Sequence, residues 1–208
     1  MSDSTRTQRK GVGLLGGTFN PVHCAHVELA RLAQREFHLA EIWFIPCSIP
    51  AHKTRTELAS NEDRLTMLKL ALAGENDFRA EDVEMRRPGT SYTLDTLQTL
   101  RAEYPECEFT FIIGGDTLRE LHTWHRPLEV LTLARFVTLA RAGVPRPAPD
   151  DLHLPPPWPE RLLADYRPLA PPNIASRELR ARLAAGTEIV RLVPPAVLRY
   201  IQEKHLYL

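Results

Sequence analysis

The sequence carries no excess charge of either sign. Lys+Arg and Asp+Glu both total 26, the formal net charge is +0 and the pI is near 7.1, so the long-range field that draws proteins to nucleic acid or to anionic membranes is missing. Any anion bound here must be recognised locally, and neither nucleic acid nor membrane is expected as a partner. Long apolar runs are also missing: nothing approaches the roughly 18–20 residues that span a bilayer, and no apolar signal core follows the polar start MSDSTRTQRK. These features predict a cytoplasmic protein. Cysteine is scarce, and Cys24, Cys47 and Cys107 are odd in number and widely spaced, which suits reduced thiols better than a disulfide framework or a paired Cys-x-x-Cys metal site. Lysine is scarcer relative to its class: Lys10, Lys53, Lys69 and Lys204 stand among 26 basic residues, which draws attention to Lys53. Two common phosphate-binding motifs do not occur in the first glycine turn, which matches neither G-x-G-x-x-G nor a Walker A loop.

What is there is enough to build a core. The 208 residues, 43% hydrophobic and 25% charged, fit one domain, with residues 1–10 expected as a disordered polar leader and 11–208 as the folded unit. Val12-Gly13-Leu14-Leu15 is a short apolar run closed by Gly16-Gly17, and Val27, Ala30, Ala33 and Phe37 follow at helical spacing. The alternation continues. Ile42 to Ile45 reads as a strand, and Ser60 with Asp63 reads as a capping box ahead of Leu65, Leu68 and Leu72. Leu94, Leu97, Leu100 and Tyr104 form another helical stripe. Phe109 to Ile113 reads as a strand running into Gly114-Gly115-Asp116, and Phe136 to Leu139 as a further strand. Apolar strands alternating with amphipathic helices predict an α/β fold with a doubly wound, mostly parallel sheet covered on both faces. In such sheets ligands bind beyond the carboxyl ends of the strands, where both glycine pairs fall. Residues 143–159 hold seven prolines in seventeen positions and predict a loop or extended excursion. Two C-terminal helices, over about 176–185 and 195–204, close the chain.

Two clusters point to phosphate chemistry. In Gly16-Gly17-Thr18-Phe19-Asn20-Pro21-Val22-His23-Cys24-Ala25-His26 the glycines admit close backbone approach, and His23 and His26 stand three apart at a predicted helix start, where free N–H groups favour an anion. A tight turn with two surface histidines fits the same residues. Zinc binding by His23, Cys24 and His26 lacks an evident fourth ligand. In Asn173 to Arg180, Ser176 is a plausible N-cap with Arg180 one turn later on the same face, so hydroxyl, amides and guanidinium would converge on one anion. Any capped helix carrying an arginine would look alike.

The first cluster resembles the GGTFDPxHxGH signature of the nucleotidyltransferase superfamily, and Ile174 to Arg180 resembles its ISSTxIR element. IPCSIPAHK (45–53), RPGTSYTLDTL (87–97), FIIGGDTLRELHTWHRPLEVL (111–131) and TLARAGVP (138–145) are similar to the bacterial nicotinate-nucleotide adenylyltransferase family. The chain departs from the pattern at Ala25, where the family has glycine, and at Ala175 and Arg177, where it has serine and threonine. The resemblance implies a Rossmann-like nucleotidyltransferase fold that transfers the adenylyl group of ATP to nicotinate mononucleotide, with Mg²⁺ held by ATP phosphates rather than by side chains. Alternatives are a nicotinamide-mononucleotide or pantetheine-phosphate adenylyltransferase, or a nucleotide-binding module without turnover. His23, His26 and Arg180 would be the catalytic residues. Gly16, Gly17, Thr18, Phe19, Asp116, Ile174 and Ser176 would bind ATP, although Asp116 also suits a helix cap. His52, Lys53, Tyr92, Thr93, Trp124 and Arg141 would bind the mononucleotide. Trp124 also fits a half-buried core position, and Thr93 with nearby amides would receive the ring carboxylate.

Overall fold

The computed structural model describes residues 9–49, 58–140, 143–169 and 174–208; His52, Lys53 and Arg141 lie outside them. Six parallel strands form one sheet: β1 (Lys10–Gly17), β2 (Glu41–Pro46), β3 (Phe78–Ala80), β4 (Cys107–Gly114), β5 (Arg135–Ala140) and β6 (Tyr166–Pro168), in the order β3-β2-β1-β4-β5-β6. This is the doubly wound Rossmann order. Leu14 pairs with Trp43 on one side and Phe111 on the other, so the central strands are flanked by apolar residues in register.

Alternation along each strand divides the core into two layers, because successive side chains face opposite sides of a sheet. Leu15, Ile42, Phe44, Ile112, Val137 and Leu139 face one side. They pack with α1 (Cys24–Phe37), α2 (Asn61–Leu72), α7 (Ser176–Ala184) and α8 (Pro195–Glu203). Leu14, Trp43, Ile45, Phe111, Ile113 and Phe136 face the other. There they meet α3 (Thr93–Glu103), α4 (Gly115–Glu120), α5 (Pro127–Leu133) and α6 (Trp158–Ala164). Gly13 on β1 is needed for this packing, since a Cβ there would stand 2.5 Å from Ile42 Cδ1 and 2.8 Å from Leu39 Cδ1.

Local signals behave as their chemistry dictates. Ser60 caps α2, its hydroxyl accepting from the Asp63 N–H at 3.0 Å, and α8 opens with proline at its first position. Three details differ from expectation. The proline-rich stretch contains a 3₁₀ turn at Pro149–Leu152, and its last two residues open α6, because proline suits the first turn of a helix. Ser176 is the first residue of α7 rather than its cap, which is Ala175. Asp116 is the second residue of α4; the cap is Gly114. Strands β3 and β6, each three residues long at a sheet edge, lack the apolar runs that mark the inner strands.

Candidate active site

Between β1 and β4 the strand order reverses: β1 leads out to β2 on one side and β4 to β5 on the other. Their carboxyl ends separate there and leave a crevice. A cavity of about 850 Å³ occupies it. Gly17, Thr18, Asn20, His23, Ala25 and His26 line it from the β1 side, Gly114 to Thr117 from the β4 side, and Ile174 to Arg177 with Arg180 from the start of α7. The signature loop, the second glycine pair and the α7 cluster, distant in sequence, therefore share one wall-to-wall space.

Each of these groups is braced. Phe19 adopts a left-handed backbone (φ 46) and is buried; its ring centroid lies 5.0 Å from that of His26, edge to face. A Cβ on Gly17 would come within 3.0–3.4 Å of the Phe19 ring, so glycine at 17 makes room for that wedge. Gly16 and Phe19 themselves are not on the cavity wall. The fully buried Arg64 donates to the carbonyls of Thr18 (2.8 Å), Cys47 (2.6 Å), Ser48 (3.1 Å) and Ala59 (3.2 Å) and to Asn61 Oδ1. One guanidinium thus ties the signature loop, the exit of β2 and the start of α2. No phosphate-type motif points to Arg64, yet a charged residue three before Met67 and four before Leu68, on the apolar face of α2, is a readable signal.

The two imidazoles stack with centroids 3.6 Å apart. His26 Nδ1 accepts the backbone N–H of His23 at 3.2 Å, so the neutral ring carries its proton on Nε2. His23 Nδ1 is buried with no hydrogen-bond partner among the described residues. Burial lowers the His23 pKa to about 4, and burial followed by the neighbouring His23 holds His26 well below its usual value. Both rings are neutral at pH 7, so the pair supplies N–H donors and the fixed positive charge comes from α7. Arg180 donates from Nη1 to the Asn20 carbonyl at 2.9 Å, and Arg177 shares its wall. The hydroxyl of Ser176 donates to the Pro21 carbonyl at 3.0 Å, where it braces the signature loop. Asp116, exposed, is the one carboxylate among the described residues that line the cavity. Among the described residues no group of three or more His, Cys, Asp or Glu is placed to hold a metal ion.

Tyr92, Thr93 and Trp124 lie elsewhere on the same end of the sheet. The Ser91 N–H donates to the Ile49 carbonyl at 3.1 Å, and the Ser48 N–H to Ser91 Oγ at 3.2 Å, which joins the exit of β2 to the start of α3. Tyr92 occupies the cap of α3 without a side-chain cap bond, and its ring lies 4.7 Å from that of His125. Trp124 packs edge to face on Phe111 (6.0 Å) and Phe136 (6.2 Å) and is partly buried. Phe111 in turn faces Gly16, whose Cβ would lie 3.4 Å from the ring. None of the three lines the 850 Å³ cavity.

A doubly wound sheet with this donor-rich crevice at its switch point defines an α/β protein of the nucleotidyltransferase class, and residues 14–182 match the cytidylyltransferase-like family model. The chain is similar along its length to probable nicotinate-nucleotide adenylyltransferases. It is 40% identical to that of Shouchella clausii, over 95% of this chain and 97% of the relative. For Halalkalibacterium halodurans the figures are 42%, 95% and 91%, and for Salinibacter ruber 39%, 94% and 97%. The chain belongs to the nicotinate-nucleotide adenylyltransferase family. Its fold is that of the nicotinic acid mononucleotide adenylyltransferase of Plasmodium falciparum complexed with NaAD, at a TM-score of 0.73 and 21% identity, covering 95% of this chain and 97% of that one.

Proposed function

We propose that this chain transfers the adenylyl group of ATP to nicotinate mononucleotide, yielding deamido-NAD and pyrophosphate. The observation that carries the proposal is the crevice itself: two neutral imidazoles, the ends of β1 and β4 and two arginines converge on one cavity in a chain of this family. A phosphate oxygen of the mononucleotide attacks the α-phosphorus of ATP, the bond to the bridging oxygen breaks, and pyrophosphate leaves with that oxygen. No side chain needs to form a covalent intermediate, because such transfers run on positioning and charge stabilisation. The Nε2–H of His26, with His23 stacked behind it, donates to phosphate oxygens and stabilises charge on the bridging oxygen. Gly17 and Thr18 line the phosphates, with Gly16 and Phe19 acting through loop shape. Arg180 holds the β- and γ-phosphates, and Asp116 receives the ribose hydroxyls. Ile174 and Ser176 complete the wall.

The cavity suits a metal that arrives with the nucleotide: arginines and imidazoles select the phosphates, and among the described residues that line it the single carboxylate, Asp116, cannot form an oxygen cage. Mg²⁺ would therefore be held by the ATP phosphates, where it supplies charge neutralisation. The mononucleotide binds at the rim formed by the exit of β2, the start of α3 and Trp124. Here Trp124 offers a stacking face to the pyridine ring, Tyr92 flanks it, and Thr93 with the open first turn of α3 donates to the ring carboxylate. His52, Lys53 and Arg141 are assigned to the mononucleotide phosphate from the sequence. Three free cysteines suit a reducing, cytoplasmic setting.

The test is pyrophosphate release from ATP with nicotinate mononucleotide, with nicotinamide mononucleotide, and with no second substrate. Release that depends on the mononucleotide and favours the nicotinate form at least about tenfold in kcat/KM is expected, because a carboxamide would turn its own donor toward the donors around Thr93. Equal use of the two forms would refute the donor-only rim, and release from ATP alone would refute the transfer.

A further inference from the structure

Tyr207 lies beyond the end of α8, 187 positions after Asn20, yet its hydroxyl donates to Asn20 Oδ1 at 2.7 Å. The backbone is bent to deliver it. His205 and Tyr207 have φ of 50 and 67, left-handed values that residues with a Cβ rarely adopt and that persist only where the surroundings hold them. The partly buried phenol lies within the field of the guanidiniums of both Arg180 and Arg64; burial pushes its pKa well above the usual value, so it stays a donor. Asn20 is itself buried, and its Oδ1 also accepts the Ala59 N–H at 3.0 Å. Its carbonyl, on the same residue, accepts from Arg180 Nη1. A second cavity of about 520 Å³ lies behind this point, lined by Tyr207 and sharing Leu58, Arg177 and Arg180 with the main one. Arg180 therefore stands on a common wall with open space on either side.

We infer that Tyr207 is a positioning residue for phosphate binding: by fixing Asn20 it keeps the Arg180 guanidinium on the ATP side of the shared wall. Among the described residues this hydrogen bond joins the segment after α8 directly to Asn20, the residue of the signature loop whose carbonyl holds the arginine. The inference rests on the reading that the main cavity binds ATP.

Tyr207→Phe removes one hydroxyl and keeps the ring, so the fold is retained. The expected result is a rise of about three- to tenfold in Kd and KM for ATP, the effect of one hydrogen bond, with KM for the mononucleotide unchanged. In an Arg180→Ala background the same substitution should have no further effect on Kd for ATP, because the brace then has nothing to hold. Binding of ATP is read by calorimetry, independently of turnover. If wild type fails to bind ATP, the reading of the cavity fails. If wild type binds and Tyr207→Phe leaves Kd for ATP unchanged, raises both KM values alike, or acts additively with Arg180→Ala, the positioning role is overturned.

Discussion

Acidifying the ligand-free protein probes the site without any substrate. A histidine whose folded-state pKa is depressed makes the native state more stable above its unfolded value, and that stability is lost as pH falls toward the folded value. For His23 the fall is from 6.5 to about 4. At about 1.4 kcal/mol per pH unit this corresponds to roughly 3 kcal/mol in all, of which about 2.5 kcal/mol is gone by pH 4.5. That is a large part of the 5–15 kcal/mol or so that holds a typical domain together. His26 shifts in the same direction and adds to the loss. Glu84 opposes it, because burial raises its pKa and the folded state then takes up a proton more readily. Comparing wild type with His23→Asn isolates the one ring. Urea denaturation of both, followed by far-ultraviolet circular dichroism at pH 7.5 and 4.5, should give wild type an acid-induced loss larger by about 2 kcal/mol or more. Parallel losses in the two proteins would refute the burial of a neutral His23.

Two further substitutions separate site from scaffold. Gly17→Ala places a methyl against the buried Phe19 ring, which should cost about 1–3 kcal/mol of stability as overpacking and, by displacing His26, lower kcat about tenfold or more; unchanged melting and turnover would show that the wedge does not position the histidine. Trp124→Ala should raise KM for the mononucleotide with ATP binding unchanged, a stacked face being worth on the order of 0.5–1.5 kcal/mol beyond area burial. Loss of folding, or equal damage to both substrates, would assign Trp124 to the core it touches through Phe111 and Phe136.

The inner strands were legible because helices cover both faces, which leaves runs such as Ile42-Trp43-Phe44-Ile45 apolar throughout. Strands β3 and β6 were not, since three residues at an edge need little apolar character and take their conformation from the neighbour's ladder. In the site, the β1 turn, the β4 end and Ile174 to Arg180 each carry a local pattern, and the structure brings them to one cavity. The supports were hidden. Arg64 reaches a carbonyl 46 positions away and Tyr207 an amide 187 positions away, and a backbone carbonyl or a single amide leaves no mark in a pattern of residue types. Ser176 illustrates the same gap: helix-capping residues suggest a cap, while the fold lends its hydroxyl to Pro21 instead.

The role proposed for His26 is to stabilise charge on the ATP phosphates as the adenylyl group moves. Its most direct test is kcat of His26→Ala, measured with saturating ATP and nicotinate mononucleotide on protein whose melting and circular dichroism show it folded. A neutral donor aimed at developing charge in a closed site is worth about 2.7–4 kcal/mol, so kcat should fall by about 10² to 10³. A folded variant that keeps more than about half of wild-type turnover would contradict the claim.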